Sequence, residues 1–133
     1  MLFRSTESIK KNVGVVGLSG GIIEPLEATS LFLTYLMVIQ LNKHLSDNKP
    51  ANVLNRNLKK IFDHTANYVL FHYTLSGKKH NEYWRYFNEL ENKLKTLDYM
   101  KEMASKPDTK QWKNELLFHP YHHWALLDGY GIN

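Results

Sequence analysis

A short apolar strand, a glycine-rich turn and an apolar helix follow one another in the first third of this chain. Residues 12–17 read Asn-Val-Gly-Val-Val-Gly, a β-branched run that predicts a buried strand. The turn at 18–21, Leu-Ser-Gly-Gly, precedes a stretch from Thr29 to about Leu45 that is apolar nearly all round. That pattern predicts a helix surrounded by protein. A single strand needs neighbours for its backbone groups, and no later segment predicts a second one, so we expect an incomplete domain.

The rest of the sequence predicts helices. Apolar residues recur every three or four positions, and Pro or Gly stands at several of the expected ends. The predicted helices span 51–75, 84–97, a segment that starts at Pro107, and 120–129. We therefore expect a mainly α chain with one short N-terminal strand and about five helices. The 133 residues predict a single partial domain, with the strand, turn and first helix in 1–45 and a helical region in 46–133.

Composition excludes several classes of function. Without cysteine there is no thiolate nucleophile and no Cys-ligated zinc, and the chain suits a reducing cytoplasm. The most apolar stretch, 31–41, has 11 residues, fewer than the roughly 20 that cross a bilayer. No secretory signal precedes it, so we expect a cytoplasmic protein with no membrane partner. Residues 43–79 carry a charge of +5, which residues 80–133 reduce to the net +4. The lysines of 43–79 fall at helix-surface or helix-end positions, and we expect no nucleic-acid partner.

The glycine turn and the helix after it are typical of an anion site. Glycines let the backbone approach a ligand, and a helix N-terminus supplies N–H groups with a partial positive charge. The glycine spacing matches neither a dinucleotide Gly-x-Gly-x-x-Gly motif nor a phosphate loop, so a tight turn in a core is the alternative. Glu24 and Glu27 have two interpretations as well. They either pair with the helix dipole or form buried carboxylates of a site.

Three histidines near the C-terminus suggest a metal site at first sight. His119, His122 and His123 lie within five residues, but the adjacent His122 and His123 point in different directions on a helix. Apart from Asp128, no nearby carboxylate or thiolate completes a set of ligands. We therefore expect no metal.

Residues 17–30 resemble a known signature. Their sequence, Gly-Leu-Ser-Gly-Gly-Ile-Ile-Glu-Pro-Leu-Glu-Ala-Thr-Ser, is similar to the Gly-x-x-x-Gly-Phe-x-Glu-Pro-Leu-Glu segment of flavin-dependent halogenases related to tryptophan halogenase. Residues 71–73 and 83–85 resemble that family's His-Tyr and Phe-Trp-Arg segments, and the tail from Trp112 to Ile132 resembles its closing stretch. The three matches follow the family's order over nearly the whole chain. They imply the C-terminal part of an α/β FAD-dependent monooxygenase or halogenase fold.

The resemblance implies a mechanism with FAD and with chloride or bromide. In the family, hypohalous acid forms from the halide at the flavin and reaches an organic substrate beside a lysine and a glutamate. Glu27 matches that glutamate. Thr29 and Ser30 match the residues whose backbone N–H groups hold the halide.

Further positions match the flavin side and the substrate side. Gly17, Gly20 and Gly21 fall on the turn that lies against the flavin. His123 and Trp124 fall where tryptophan-specific members place substrate contacts, and their identities disfavour free tryptophan as the substrate.

The family's flavin-binding Gly-x-Gly-x-x-Gly, its Trp-x-Trp-x-x-Pro motif and its catalytic lysine have no counterpart in this sequence. We therefore expect a C-terminal fragment or subunit of a halogenase for an indole-like aromatic substrate, inactive alone. The resemblance implies two partners, a flavin reductase and the family's N-terminal flavin-binding portion, which this chain lacks either as a truncated gene product or as one half of a split enzyme. One alternative is a non-catalytic helical module that binds a protein, and another is a FAD-dependent monooxygenase fragment without halogenation. Whether this chain is itself an enzyme stays open.

Overall fold

The computed structural model describes residues 3–23, 28–106 and 117–132. Within these ranges there are four strands of two residues each and five helices. The strands are β1 (Phe3–Arg4), β2 (Ile9–Lys10), β3 (Val13–Gly14) and β4 (Gly21–Ile22). The helices are α1 (Thr29–Ser46), α2 (Ala51–Thr74), α3 (Glu82–Phe87), α4 (Leu90–Ala104) and α5 (Pro120–Gly129). The prediction of a mainly α chain with about five helices is confirmed.

The prediction of one buried strand over 12–17 is wrong. β3 covers only Val13–Gly14 and pairs antiparallel with β2, while β4 pairs antiparallel with β1. Val13 is 64% exposed. The partners lie upstream in segments of two residues, which are too short to show the period-2 alternation of a strand. The inference that this strand has no partner is therefore wrong as well.

Helix α1 has the predicted bounds but not the predicted burial. One face is buried and includes Leu33, Leu36 and Met37, each at most 2% exposed. The opposite face carries exposed apolar residues such as Leu31 and Tyr35. The expectation of protein on every side is wrong, because apolar residues occupy both faces and only one of them packs within the chain.

The remaining helices agree with the sequence pattern except at one break. α2 ends at Thr74, shortly before Gly77, whose positive φ of 66° stops a helix. The helix predicted over 84–97 is interrupted after Phe87, where the Asn88 side-chain amide donates to the carbonyl oxygens of Lys78 (2.9 Å) and Trp84 (2.8 Å). α5 is confirmed. The helix predicted to start at Pro107 lies outside the described residues.

The chain divides into two compact units. The first contains residues 3–23, 28–66 and 117, and its core combines Ile9 and Ile23 with side chains from α1 and from α2 as far as Phe62. The second contains 67–106 and 118–132, where α4 packs on α5 and Phe71 and Met100 are fully buried. No helix in the described ranges has both the length and the apolar character that crossing a membrane requires.

Candidate functional site

The glycine turn packs directly on helix α1. Residues Gly17–Ser19 form one 3₁₀ turn, and Gly17 has a φ of 69°, a conformation that glycine adopts without strain. A Cβ added at Gly17 would lie 3.6 Å from Thr34 Oγ1, and one added at Gly20 would lie 2.2 Å from Met37 Cε. The space that a side chain at Gly20 would need is thus filled by α1. These glycines allow the turn to approach the helix.

Side-chain hydrogen bonds fix the start of α1. The Ser30 hydroxyl donates to the carbonyl oxygen of Ile23 (3.1 Å), and the Thr34 hydroxyl donates to the carbonyl oxygen of Ser30 (2.9 Å). Thr29 is 1% exposed, and Ala28 before it has a left-handed φ of 57°. The helix therefore begins at a defined place beside the end of β4.

The electrostatics of this helix end suit an anion. The first N–H groups of a helix have no carbonyl partner within it and carry a partial positive charge. The first turn of α1, which contains Thr29 and Ser30, has no acidic side chain that would neutralise this charge. Thr29 and Ser30, the two predicted halide-binding residues, therefore lie at a helix end whose partial charge is positive, as binding of an anion requires. Glu24 and Glu27 lie outside the described residues.

A residue that the sequence analysis missed holds the N-terminal strands in place. Asn55 Oδ1 accepts hydrogen bonds from the backbone N–H groups of Ser8 (2.8 Å) and Ile9 (2.9 Å). Its Nδ2 donates to the carbonyl oxygen of Ile9 (3.0 Å). A second link joins Arg4 Nη1 to Asp63 Oδ1 at 2.8 Å. Asparagine is disfavoured inside helices, but this signal is weak because α2 also contains Asn52, Asn57 and Asn67.

The two predicted substrate-side residues differ in environment. His123 is fully buried, and its ring makes edge contacts with Tyr68 (5.1 Å between centroids) and Tyr99 (6.3 Å). Trp124 is 53% exposed and stacks on Tyr121. Trp124 also lines an open surface pocket of about 440 Å³, together with Lys101, Ser105 and Asp128. The structure therefore brings Trp124, but not His123, to this pocket.

The buried imidazole of His123 is held neutral. Burial lowers the pKa of His123 to about 4, and a hydrogen bond with the carbonyl oxygen of His119 acts in the opposite direction. The atoms joined are His123 Nδ1 and His119 O, 2.9 Å apart. Because a carbonyl oxygen only accepts, Nδ1 carries the proton. A neutral side chain packed among aromatic rings has the character of a core residue.

The other two histidines of this segment organise the start of α5. The backbone N–H of His119 donates to His122 Nδ1 at 3.1 Å, which satisfies a donor at the helix N-terminus. Across the ranges that the structure describes, no three histidine, aspartate or glutamate side chains are grouped to hold a metal ion.

The whole described site lies within a match to a family model. The model described as "Tryptophan halogenase" matches residues 3–133. The chain is 33% identical over 91 residues to tryptophan 7-halogenase KtzQ of Kutzneria sp. (strain 744), a match that covers 65% of this chain and 17% of that protein. It is 33% identical over 79 residues to tryptophan 7-halogenase RebH of Lentzea aerocolonigenes, covering 56% and 15%.

Solved structures share the fold. BrvH, a flavin-dependent halogenase from Brevundimonas sp. BAL3, superposes with a TM-score of 0.73 at 23% identity over 97% of this chain and 27% of that chain. SttH, a tryptophan 6-halogenase from Streptomyces toxytricini, gives a TM-score of 0.69 at 24% identity over 93% and 25%. This chain thus spans about a quarter of the solved structures that it resembles and about a sixth of the curated relatives.

Proposed function

Because this chain belongs to the tryptophan halogenase family, we propose that it is the halide-side portion of a FAD-dependent halogenase. The substrate is an aromatic small molecule of the indole type, and the halide is chloride or bromide. The single observation that carries this proposal is the start of α1 at Thr29 and Ser30. It combines the family's sequence signature with a helix N-terminus at which Thr29 is buried and the first turn has no acidic side chain.

The residues of this chain have separate roles in the proposal. The backbone N–H groups of Thr29 and Ser30 bind the halide, because a helix N-terminus favours a negative charge. Glu27 orients or polarises the electrophile beside the substrate. Gly20 and Gly21 border the flavin, and the hydrogen bond from Ser30 to Ile23 keeps the halide-binding end of α1 next to that turn.

The residues present fit the halide better than they fit a whole flavin. The chain has no Gly-x-Gly-x-x-Gly motif to hold a dinucleotide, and the turn at Gly17–Ser19 packs on α1. When bound, the flavin supplies the oxidation of the halide. We propose that a separate flavin-binding portion holds it, that a flavin reductase serves the assembled enzyme, and that this chain alone is inactive. The lack of cysteine suits a cytoplasmic location.

The substrate-side residue in the proposal is Trp124. Trp124 presents a half-exposed indole at an open pocket, and an aromatic ring of that kind stacks on an aromatic substrate. His123 lies one residue away but is buried, so its proposed role is to position α5 rather than to touch the substrate.

Reconstitution tests the proposed function. The chain is expressed with and without the open reading frame that lies upstream, and each preparation is examined for flavin absorbance and for halide-dependent product from a panel of indoles. We expect flavin and product only when both portions are present. Product without halide, or no product with flavin bound, contradicts halogenation and favours a monooxygenase fragment or a binding module.

A matched pair of variants tests the role of Glu27. We expect Glu27→Gln to abolish product while flavin stays bound, because the amide has nearly the same shape but no charge. Glu89→Gln, at an exposed position before α4, is the control and keeps the parent rate. Equal activity of the two variants contradicts the assignment.

A further inference from the structure

Two tryptophans of the second unit differ in how their rings are covered. Trp84 is partly buried, with Tyr73 stacked on it at 5.6 Å between ring centroids and the Lys78 ammonium 4.8 Å from its ring centroid. Trp124 is 53% exposed, and its one ring contact among the described residues is with Tyr121, at 6.0 Å between centroids. The indole of Trp124 is therefore open to a small reagent, whereas that of Trp84 is largely covered.

The side chains that react fastest with a hypohalous acid are not exposed in the part of the chain that the structure describes. Thiols and thioethers are the softest groups in proteins and are oxidised first. The sequence contains no cysteine, and Met37, Met100 and Met103 are each at most 4% exposed. Electron-rich aromatic rings come next, and indole is the most electron-rich of them. An electrophilic halogen that meets this surface is thus left to an exposed indole.

We propose that Trp124 is a site of self-halogenation, which accepts the halogen when the pocket beside it holds no aromatic substrate. This inference rests on the proposed function, which supplies the hypohalous acid. Trp124 lines the pocket together with Leu127 and Asp128, so an acid that reaches a substrate there also reaches the Trp124 indole. A substrate that stacks on this indole covers it and protects it.

The step is an electrophilic aromatic substitution. With hypobromous acid, the π electrons of the indole form a C–Br bond while the Br–O bond breaks and hydroxide leaves. The same ring carbon then loses its proton, and the hydroxide takes it up to give water. The ring carbon is oxidised and the bromine is reduced to the level of bromide, so the step needs no oxidant other than the hypobromous acid.

The charges beside the two rings favour Trp124 as well. The ring gains positive charge when the halogen adds, so a cation close to it raises the barrier. The Lys78 ammonium lies over Trp84, whereas within the described ranges no cationic side chain lies over the ring of Trp124. The pocket beside Trp124 contains one basic and one acidic residue, Lys101 and Asp128, whose charges offset each other. Trp124 is therefore the more reactive of the two tryptophans.

Bromination by a reagent tests this difference in the full chain. The chain is treated with a limiting amount of hypobromous acid and then with free methionine, which removes bromine from nitrogen, and its peptides are analysed by mass spectrometry. Bromine on carbon is recognised by the equal doublet of its two isotopes. We expect Trp124 to be brominated about tenfold faster than Trp84, or more. Equal bromination of both, or oxygen without bromine on Trp124, overturns the proposal.

Two variants test the physical cause. Trp124→Phe should lose the bromine from this position and leave the bromination of Trp84 unchanged. Lys78→Ala removes one cover and the positive charge from Trp84, and we expect the bromination of Trp84 to rise by about threefold or more. Lys78 is exposed, and circular dichroism establishes that the helices are retained. If Trp84 stays as unreactive as in the parent chain, its covering does not separate the two tryptophans and the proposal is overturned.

The assembled enzyme then separates self-halogenation from the proposed function. The chain is produced with the open reading frame that lies upstream and given bromide, with and without indole. We expect bromine on Trp124 without indole, and about tenfold less at an indole concentration about ten times its Kd. Brominated indole without bromine on Trp124 supports the proposed function and overturns self-halogenation. If neither forms while the reagent still marks Trp124, the halogenase function is contradicted and Trp124 is supported as the residue that accepts the electrophile.

Discussion

The two compact units of this chain bury different kinds of side chain. Among the described residues of the first unit, eight of the nine buried hydrophobic side chains are isoleucine, leucine or methionine, and Phe62 is the exception. In the second unit, three of the seven described ones are aromatic, and Tyr68 stacks on Phe118 at 3.5 Å between centroids with His123 at the edge of Tyr68. The first unit contains the glycine turn and the start of α1. The second contains His123 and Trp124, the residues proposed for the substrate side.

This difference shows two ways of positioning a site. In the first unit, the predicted halide-binding atoms belong to the backbone. Such a site requires one segment to approach another closely, and Gly20 permits this approach to Met37. In the second, the candidate groups are side chains, and ring contacts select which of two adjacent residues faces inward. Backbone sites depend on the local path of the chain, whereas side-chain sites depend on packing.

The largest expected effects come from removing one buried aromatic ring from each core in separate variants. Phe62→Ala and Phe71→Ala remove rings that are 1% and 0% exposed, and each variant should lower the free energy of unfolding by about 3–5 kcal/mol. Hydrogen exchange measured by mass spectrometry then reports where protection is lost. We expect faster exchange in the first unit for Phe62→Ala and in the second for Phe71→Ala. Equal loss of hydrogen-exchange protection in both units from either variant would contradict the division of the chain into two separately packed cores.

The buried histidine makes the second unit sensitive to acid. The folded pKa of about 4 lies below the ordinary value of 6.5, so between these values the unfolded chain binds a proton that the folded chain does not. This contribution to stability is therefore complete above pH 6.5 and is lost as the pH falls toward 4, by at most about 3 kcal/mol. We expect His123→Phe to flatten the fall in urea-unfolding free energy over this range. Parallel pH curves for both proteins contradict the assignment.

Removing the Asn55 side chain tests how the first unit holds its short strands. Asn55→Ala deletes three hydrogen bonds to Ser8 and Ile9, and we expect a loss of about 2 kcal/mol in unfolding free energy. The amides of Ser8 and Ile9 should also exchange faster. The control is Asn52→Ala, an exposed position on the same helix, where the change should stay within about 0.5 kcal/mol. Similar losses from both variants would show that helix propensity alone explains the result.

The smallest effect concerns the close approach of the turn to α1. Gly20 has a φ of −84°, so an alanine there meets no backbone strain, only the end of the Met37 side chain. We expect Gly20→Ala to destabilise by about 1–2 kcal/mol, and a double variant with Met37→Leu to recover part of the loss because leucine lacks Cε.

Gly129→Ala is the control for that variant. A Cβ at Gly129 meets no atom within 4 Å, and alanine favours the helix, so we expect no loss of stability. If Gly20→Ala is equally harmless in thermal unfolding, the turn does not depend on close approach.

Most of the helices could be predicted from the sequence because their signals are local. The apolar spacing of α2 and the Pro and Gly at the ends of α5 act within a few residues. The break between α3 and α4 was not predictable, since it accompanies the hydrogen bond of Asn88 to Lys78, ten residues away. The short strands were missed for a similar reason, because β1 pairs with β4 across the intervening hairpin.

Part of the candidate site could likewise be predicted from the sequence, and part of it could not. The positions of Thr29 and Ser30 at a helix start followed from the order of residues along the chain. Which of His123 and Trp124 faces the pocket did not, because adjacent residues of a helix point in different directions and neighbouring elements decide which is covered.

The sequence by itself determined where most of the helices begin and end, except at the break between α3 and α4, and which residues carry the family signature, because periodicity and linear order are local properties. The tertiary structure decided that Asn55 holds β2, that His123 is buried and neutral, and that one apolar face of α1 is covered while the other is exposed. These outcomes depend on which surfaces meet. An apolar residue favours burial, but the local sequence around it does not specify which distant segment packs against it.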